Sequence, residues 1–224
     1  MVQEETMQQR VLILAPHTDD AELGCGGTIA RFSAEGREVF QVAFSSAEES
    51  VSYEFASDVL RHEICAAARV LGIRRSNLIL LSYPVRSFPQ CRQAILEDMV
   101  RLAREIKPDM VLLPSTHDTH QDHQTIAAEG FRAFKKTTML GYEVLWNNLT
   151  FTTQGFVSLD QRDLDLKIEA IGCYKSQAHR PYVSPEFIQS LAITRGMQIG
   201  ARYAEAFAIS RWIVDDHCPA AEAE

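Results

Sequence analysis

The sequence has no uninterrupted apolar run approaching the eighteen or so residues that a membrane-spanning helix requires. It also lacks any CxxC pair, and its five cysteines are an odd number, widely spaced. That argues against a disulfide framework or a thiolate metal site and for free thiols in a reducing compartment. Basic charge is short as well: Lys plus Arg number 22 against 30 Asp plus Glu, a net charge of -8. Nucleic acids and anionic membrane surfaces are bound by clustered basic charge, so neither is an expected partner. Met1 to Arg10 is polar and the apolar stretch after it is too short for a secretory signal, which predicts a soluble cytoplasmic protein. Repeats, linkers and low-complexity segments are absent, and 224 residues suit one domain spanning 1–224, with a frayed acidic tail from about residue 216.

What is present is concentrated chemistry. The charge-free run Val11 to Ala15 reads as a strand buried on both faces. It is followed at once by Pro16-His17-Thr18-Asp19-Asp20-Ala21-Glu22-Leu23-Gly24-Cys25-Gly26-Gly27, which sets an imidazole and three carboxylates within six residues. Carboxylates crowded in this way repel one another and need a compensating cation, for which a divalent metal is the economical choice. A second buried strand, Asp109 to Leu113, is closed by Pro114 and leads to His117-Asp118-Thr119-His120-Gln121-Asp122-His123.

Between and beyond these clusters the pattern is that of an α/β protein. Thr28 to Ala34 predicts a short helix stopped by Gly36, and Glu38 to Phe44 a second strand, together a βαβ unit with parallel strands. Phe55 to Leu71 carries apolar residues at helical spacing, and Asn77 to Leu81 is a third strand. Pro89 opens a helix with Ile95, Met99, Leu102 and Ile106 along one stripe, and Gln124 to Lys136 predicts another helix. Met139 to Trp146 and Leu149 to Leu159 read as two strands around Asn147-Asn148, a hairpin added to the parallel sheet. A helix capped by Asp160, another opened by Ser184-Pro185, and a strand from Glu205 to Val214 complete the chain. The expected architecture is a mostly parallel sheet flanked by helices. Both polar clusters then leave carboxyl ends of parallel strands, which share one edge of such a sheet and can meet in one crevice.

His17, Asp20 and His123 give two histidines and one carboxylate, the usual three protein ligands of a catalytic Zn²⁺, and the same set suits Fe²⁺. A metal of this kind brings the pKa of water down to about 7. Asp19, beside a ligand yet free of the metal, is placed to act as general base. His120 lies one turn before His123 and can face the substrate, protonated, with Asp122 as the candidate to hold it charged. His117 and Asp118 are either partners of a ligand or plain loop residues. Singly, each feature has a plainer reading, since Asp19-Asp20 could only cap a helix and a lone histidine is usually structural. Two dense clusters of complementary ligand type at two strand ends favour the metal. Gly24-Cys25-Gly26-Gly27-Thr28-Ile29 is not a dinucleotide fingerprint: Ile29 stands at the sixth position, the glycines fall nine residues past the strand, and no acid closes the second strand at Phe44.

The stretches PHTDDAELGCGGTIA and HQDH resemble the two signature motifs of the LmbE/PIG-L family of zinc-dependent N-deacetylases. Further likeness lies in Arg61 with Glu63, Ala66-Ala67 and Leu71-Gly72, in Cys173-Tyr174-Lys175-Ser176-Gln177, and in Tyr203-Ala204-Glu205-Ala206-Phe207, so that nearly the whole chain is covered. The resemblance implies a Rossmann-like fold, His17, Asp20 and His123 as zinc ligands, Asp19 as general base, His120 facing the tetrahedral intermediate with support from Asp122, and a homo-oligomer. Thr18 and Gln121 stand where the family commonly has Pro, and Ser45-Ser46-Ala47-Glu48 replaces a family loop that often contains Gly-Glu and sometimes a basic residue reaching the substrate. The expected activity is hydrolysis of the N-acetyl group of an N-acetylglucosamine-type sugar, free or conjugated, to the amine and acetate. The alternatives are a catalytically silent glycan- or nucleotide-sugar-binding module and a metal-dependent hydrolase of a non-sugar amide. Arg61, Arg86 and Glu48 could touch the sugar, although each has the plainer reading of a solvated surface charge.

Overall fold

The computed structural model describes residues 9–214. The first strand, β1 (Arg10–Ala15), explains the rest. Its side chains alternate between two cores: Val11, Ile13 and Ala15 enter one and Leu12 and Leu14 the other, all of them fully buried. Burying such aliphatic side chains contributes about 1.5–3 kcal/mol each. An apolar run without alternation is therefore a central strand with helices on both faces.

The remaining strands are β2 (Glu38–Ala43), β3 (Leu78–Leu80), β4 (Met110–Pro114), β5 (Thr138–Tyr142), β6 (Gly155–Leu159) and β7 (Tyr203–Arg211). They form one sheet in the order β3-β2-β1-β4-β5-β7-β6. The first five of these are parallel, and β7 runs antiparallel to both β5 and β6. Helices α1 (Asp20–Ala34) and α2 (Val59–Val70) supply the core on one face, and α3 (Phe88–Ile106) and α4 (Gln121–Ala133) the core on the other. On the first face, α5 (Gln161–Ile171) packs against α1, and α6 (Pro185–Met197) packs against β7. Among the described residues no helix is long and apolar enough to cross a membrane. The chain builds outward from β1 to β2 and β3, then returns to its other side with β4 and β5. The order thus reverses between β1 and β4, at the position where open α/β sheets open a crevice.

Two expectations need correction. The predicted hairpin does not form: β5 and β6 are separated by β7, which inserts between them from the end of the chain. Asn147 and Asn148 instead form a turn whose Asn148 bridges to Asp118. The first helix begins at Asp20, well before Thr28, and breaks at Cys25 (φ -147°, ψ 27°). The break explains why periodicity found only its second half. Its freed groups are satisfied from elsewhere: Gly27 and Thr28 donate their backbone N–H groups to Glu205 Oε1 and Oε2 at 3.0 and 2.7 Å, and Lys167 Nζ donates to Leu23 O at 2.8 Å. Lys167 and Glu205 complete a buried ion pair at 2.6 Å. A Cβ at Gly24 would collide with the Tyr142 ring and one at Gly27 with Leu159, so the glycines let the broken helix press against the sheet. The predicted acidic tail and His217 lie outside the described residues.

Candidate functional site

The crevice between the ends of β1 and β4 holds both clusters. From β1 the chain turns so that the His17 N–H donates to Asp20 Oδ2 at 2.8 Å, which folds the histidine back over the first residue of α1. From β4, a short loop reaches α4, and His123 sits on its first turn. Three donor atoms converge there. His17 Nδ1 lies 3.1 Å from Asp20 Oδ2, His123 Nε2 lies 3.3 Å from the same oxygen, and the two ring nitrogens are 3.4 Å apart. Ligand atoms about 2.0–2.1 Å from a tetrahedral zinc ion are spaced by about these distances. A second set, His17, His120 and Asp122, also comes close enough to share an ion. There the Asp122 carboxylate is already engaged by protein donors, which leaves His17, Asp20 and His123 as the better fit.

Each of the two histidines is oriented by a carboxylate on its far nitrogen. His123 Nδ1 lies 2.8 Å from Asp118 Oδ2, and His17 Nε2 lies 3.0 Å from Asp122 Oδ2. Such pairing fixes the tautomer of a metal-binding imidazole and raises its basicity. Asp122 also accepts the backbone N–H groups of Arg86 and Phe88 at 2.6 and 3.2 Å. The Asp122 carboxylate, expected to hold His120 charged, makes its side-chain hydrogen bond to His17 instead, and its charge raises the His120 pKa less than burial and the two other histidines lower it. His120 caps α4, its Nδ1 accepting the Asp122 backbone N–H at 3.1 Å, so the ring proton of the neutral form sits on Nε2. Burial and the charges of His123 and His17 push the His120 pKa down, which favours that neutral form. Of the two residues left open by the sequence, Asp118 joins the site and the exposed His117 does not.

The electrostatics describe a cage that wants positive charge. Burial opposes protonation of His17 and of His123, yet their carboxylate neighbours outweigh it and raise them to about 9 and about 10. Asp20 is held well below the usual carboxylate range, burial being overcome by His123 and His17. Asp19 behaves differently. Burial and the charge of Asp20 push it up to about 6, suited to a base near neutral pH. Glu22, the third carboxylate of the first cluster, turns away into the core, where the Gln41 amide donates to it at 3.1 Å and burial pushes it up to about 8.

Asp19, Asp20 and the three histidines line a cavity of about 340 Å³. Arg86, Trp146, Asn147, Gln177, Arg180 and Tyr182 also line it. The Trp146 and Tyr182 rings are stacked, with centroids 3.8 Å apart and planes 13° from parallel. No local pattern marks this wall, because Trp146 and Tyr182 lie far apart in the chain, one in a turn and the other in a single 3-10 turn. Arg61 and Glu48 do not line the cavity; they pair with each other.

Comparison with known proteins adds a family and a set of structural neighbours. The PIG-L family profile, described as GlcNAc-PI de-N-acetylase, matches residues 12–134. Diacetylchitobiose deacetylase of Thermococcus kodakarensis is 22% identical over 94% of this chain and 86% of its own. Among solved structures, N,N'-diacetylchitobiose deacetylase from Pyrococcus horikoshii superposes with a TM-score of 0.74 at 24% identity, covering 90% of this chain and 83% of that one. The 4-carboxy-2-hydroxymuconate hydratase GalB of Pseudomonas putida has the same fold, with a TM-score of 0.75 at 20% identity over 93% of this chain and 99% of that one. The fold therefore carries more than one reaction, and the residues of the crevice must decide between them.

Proposed function

This chain belongs to the PIG-L family of de-N-acetylases, and from that premise we propose that it hydrolyses the N-acetyl group of an N-acetylglucosamine-type sugar at a metal held by His17, Asp20 and His123. The observation that carries the reading is the convergence of those three donor atoms within 3.4 Å of one another on the floor that Asp19 shares. Two imidazoles and one carboxylate, each imidazole backed by a second carboxylate, suit Zn²⁺, and Fe²⁺ is accepted by the same set. When bound, the ion supplies Lewis acidity, polarising the amide carbonyl and acidifying the attacking water.

The chain's own residues do the rest. Asp19, free of the donor set and raised towards neutrality, takes the proton from water as it attacks the acetyl carbon. His120 donates a hydrogen bond from its Nε2–H to the carbonyl oxygen as charge builds there, keeping its proton, and so needs no positive charge of its own. Asp118 and Asp122 keep the two donor histidines in register. As the C–N bond breaks, a proton must reach the departing amine, and Asp19, by then protonated, holds one beside it.

The test is acetate release from a panel of N-acetylglucosamine derivatives, with bound metal quantified. Asp19→Ala should keep its metal and lose about 10²–10⁴-fold in kcat. His123→Ala should lose the metal. An Asp19→Ala protein that retains full activity would sink the assignment.

A further inference from the structure

The cavity contains two cations that the reaction above does not use. Arg86 and Arg180 both line it, together with the metal-donor cluster. Carboxylates outnumber basic residues in this protein, and Arg10, Arg31, Arg74, Arg92 and Arg195 are each ion-paired with one. Arg86 and Arg180 have no such partner among the described residues.

Their surroundings hold them in place without a salt bridge to either, with Arg180 near enough to Asp19 for its charge to lower that carboxyl's pKa. Arg86 adopts φ 67°, a left-handed backbone that is costly for any residue with a Cβ. It is kept there by Asp122, which accepts its N–H at 2.6 Å and bonds His17 with the same carboxylate oxygen. The group that orients a metal donor thus also fixes the backbone of an exposed arginine at the cavity. Arg180 donates to the Tyr182 hydroxyl and lies 5.7 Å over that ring, which is itself stacked on Trp146. Its Nε is buried and has no hydrogen-bond partner. A buried donor left unmade is rare and costly, and an oxygen atom of a ligand in this cavity would satisfy it.

We propose that Arg86 and Arg180 form an anion subsite, so that the N-acetylated substrate carries an acidic group, a phosphate monoester or a carboxylate. The proposal rests on the deacetylase reading and extends it to the substrate's charge. Guanidinium forks match both oxyanions. In a protein with a net charge of -8, two arginines without a salt-bridge partner also supply the local attraction that an anionic substrate needs to enter.

The test compares N-acetylglucosamine, its 6-phosphate and N-acetylmuramic acid as substrates for the wild type, Arg86→Asn and Arg180→Gln. Asn tolerates the left-handed backbone at position 86. We expect kcat/KM for an acidic substrate to exceed that for the neutral one by about tenfold or more, and each variant to lower this ratio about tenfold, mainly through KM. Whichever acidic substrate leads identifies phosphate or carboxylate as the group recognised. Should a variant fail to fold, Arg→Lys at the same position keeps the charge without the fork and should lower the ratio less. A ratio near one in the wild type, or one unchanged in the variants, overturns the subsite while acetate release still upholds the deacetylase. If no substrate yields acetate, the deacetylase reading falls, and calorimetric binding of inorganic phosphate to the metal-loaded protein decides the subsite. Binding about tenfold weaker in both variants supports it, and equal binding overturns it.

Discussion

Asp19 sets the pH dependence of the proposed reaction. Only its ionised form can take a proton, and burial beside Asp20 raises its pKa to about 6. The active fraction therefore grows as pH rises, so kcat/KM should climb through about pH 6 and level off above it. A pH–rate profile checks this, and a rate flat down to pH 4.5 would remove Asp19 from the role. At this scale the sequence was informative about the donors, because His17, Asp19 and Asp20 crowd into one turn and His120 and His123 into another. It was uninformative about their partners. Asp122 serves His17 from 105 residues away, a pairing that depends on which strands become neighbours and leaves no trace in local spacing. Arg86 reads in the sequence as a candidate sugar contact or a solvated surface charge, and nothing local marks Arg180.

Among the elements, α1 is the one whose form is least like its sequence signal. Its two halves meet at Cys25, and the N–H groups freed there end on Glu205 of β7, with Lys167 of α5 as the counter-charge. Removing one member of a buried pair leaves the other uncompensated, so Glu205→Gln should cost about 3–5 kcal/mol of stability. A denaturant midpoint lowered without a change in slope would show it. The strands that lie beside β1 were legible because parallel sheets bury both faces and read as apolar runs. The antiparallel edge was not, since Asn147-Asn148 has the chemistry of a hairpin turn while β7 competes successfully for the edge of β5. Local turn residues propose β6 as the partner of β5, and the place is taken by β7, nine residues long against the five of β6.

For the whole molecule, a metal held by the proposed donors would tie the two halves of the sheet together, since His17 and Asp20 follow β1 and His123 follows β4. Anything that binds only the folded state stabilises it by mass action, by about 2.7 kcal/mol at a hundredfold excess over Kd. For a chain of this size that corresponds to about 5–10 °C in Tm. Chelation should lower the melting temperature by that order, and readdition of Zn²⁺ should restore it. A melting curve indifferent to chelator would mean that the ion contributes nothing to the fold. The reversal of strand order has a further consequence in time. During synthesis the first donors leave the ribosome 103 residues before His123. Until β4 has docked beside β1, the nascent chain presents only two of the three proposed donors, His17 and Asp20. The proposed site is therefore complete only once the central strands have assembled, and capture of an ion there would report that step.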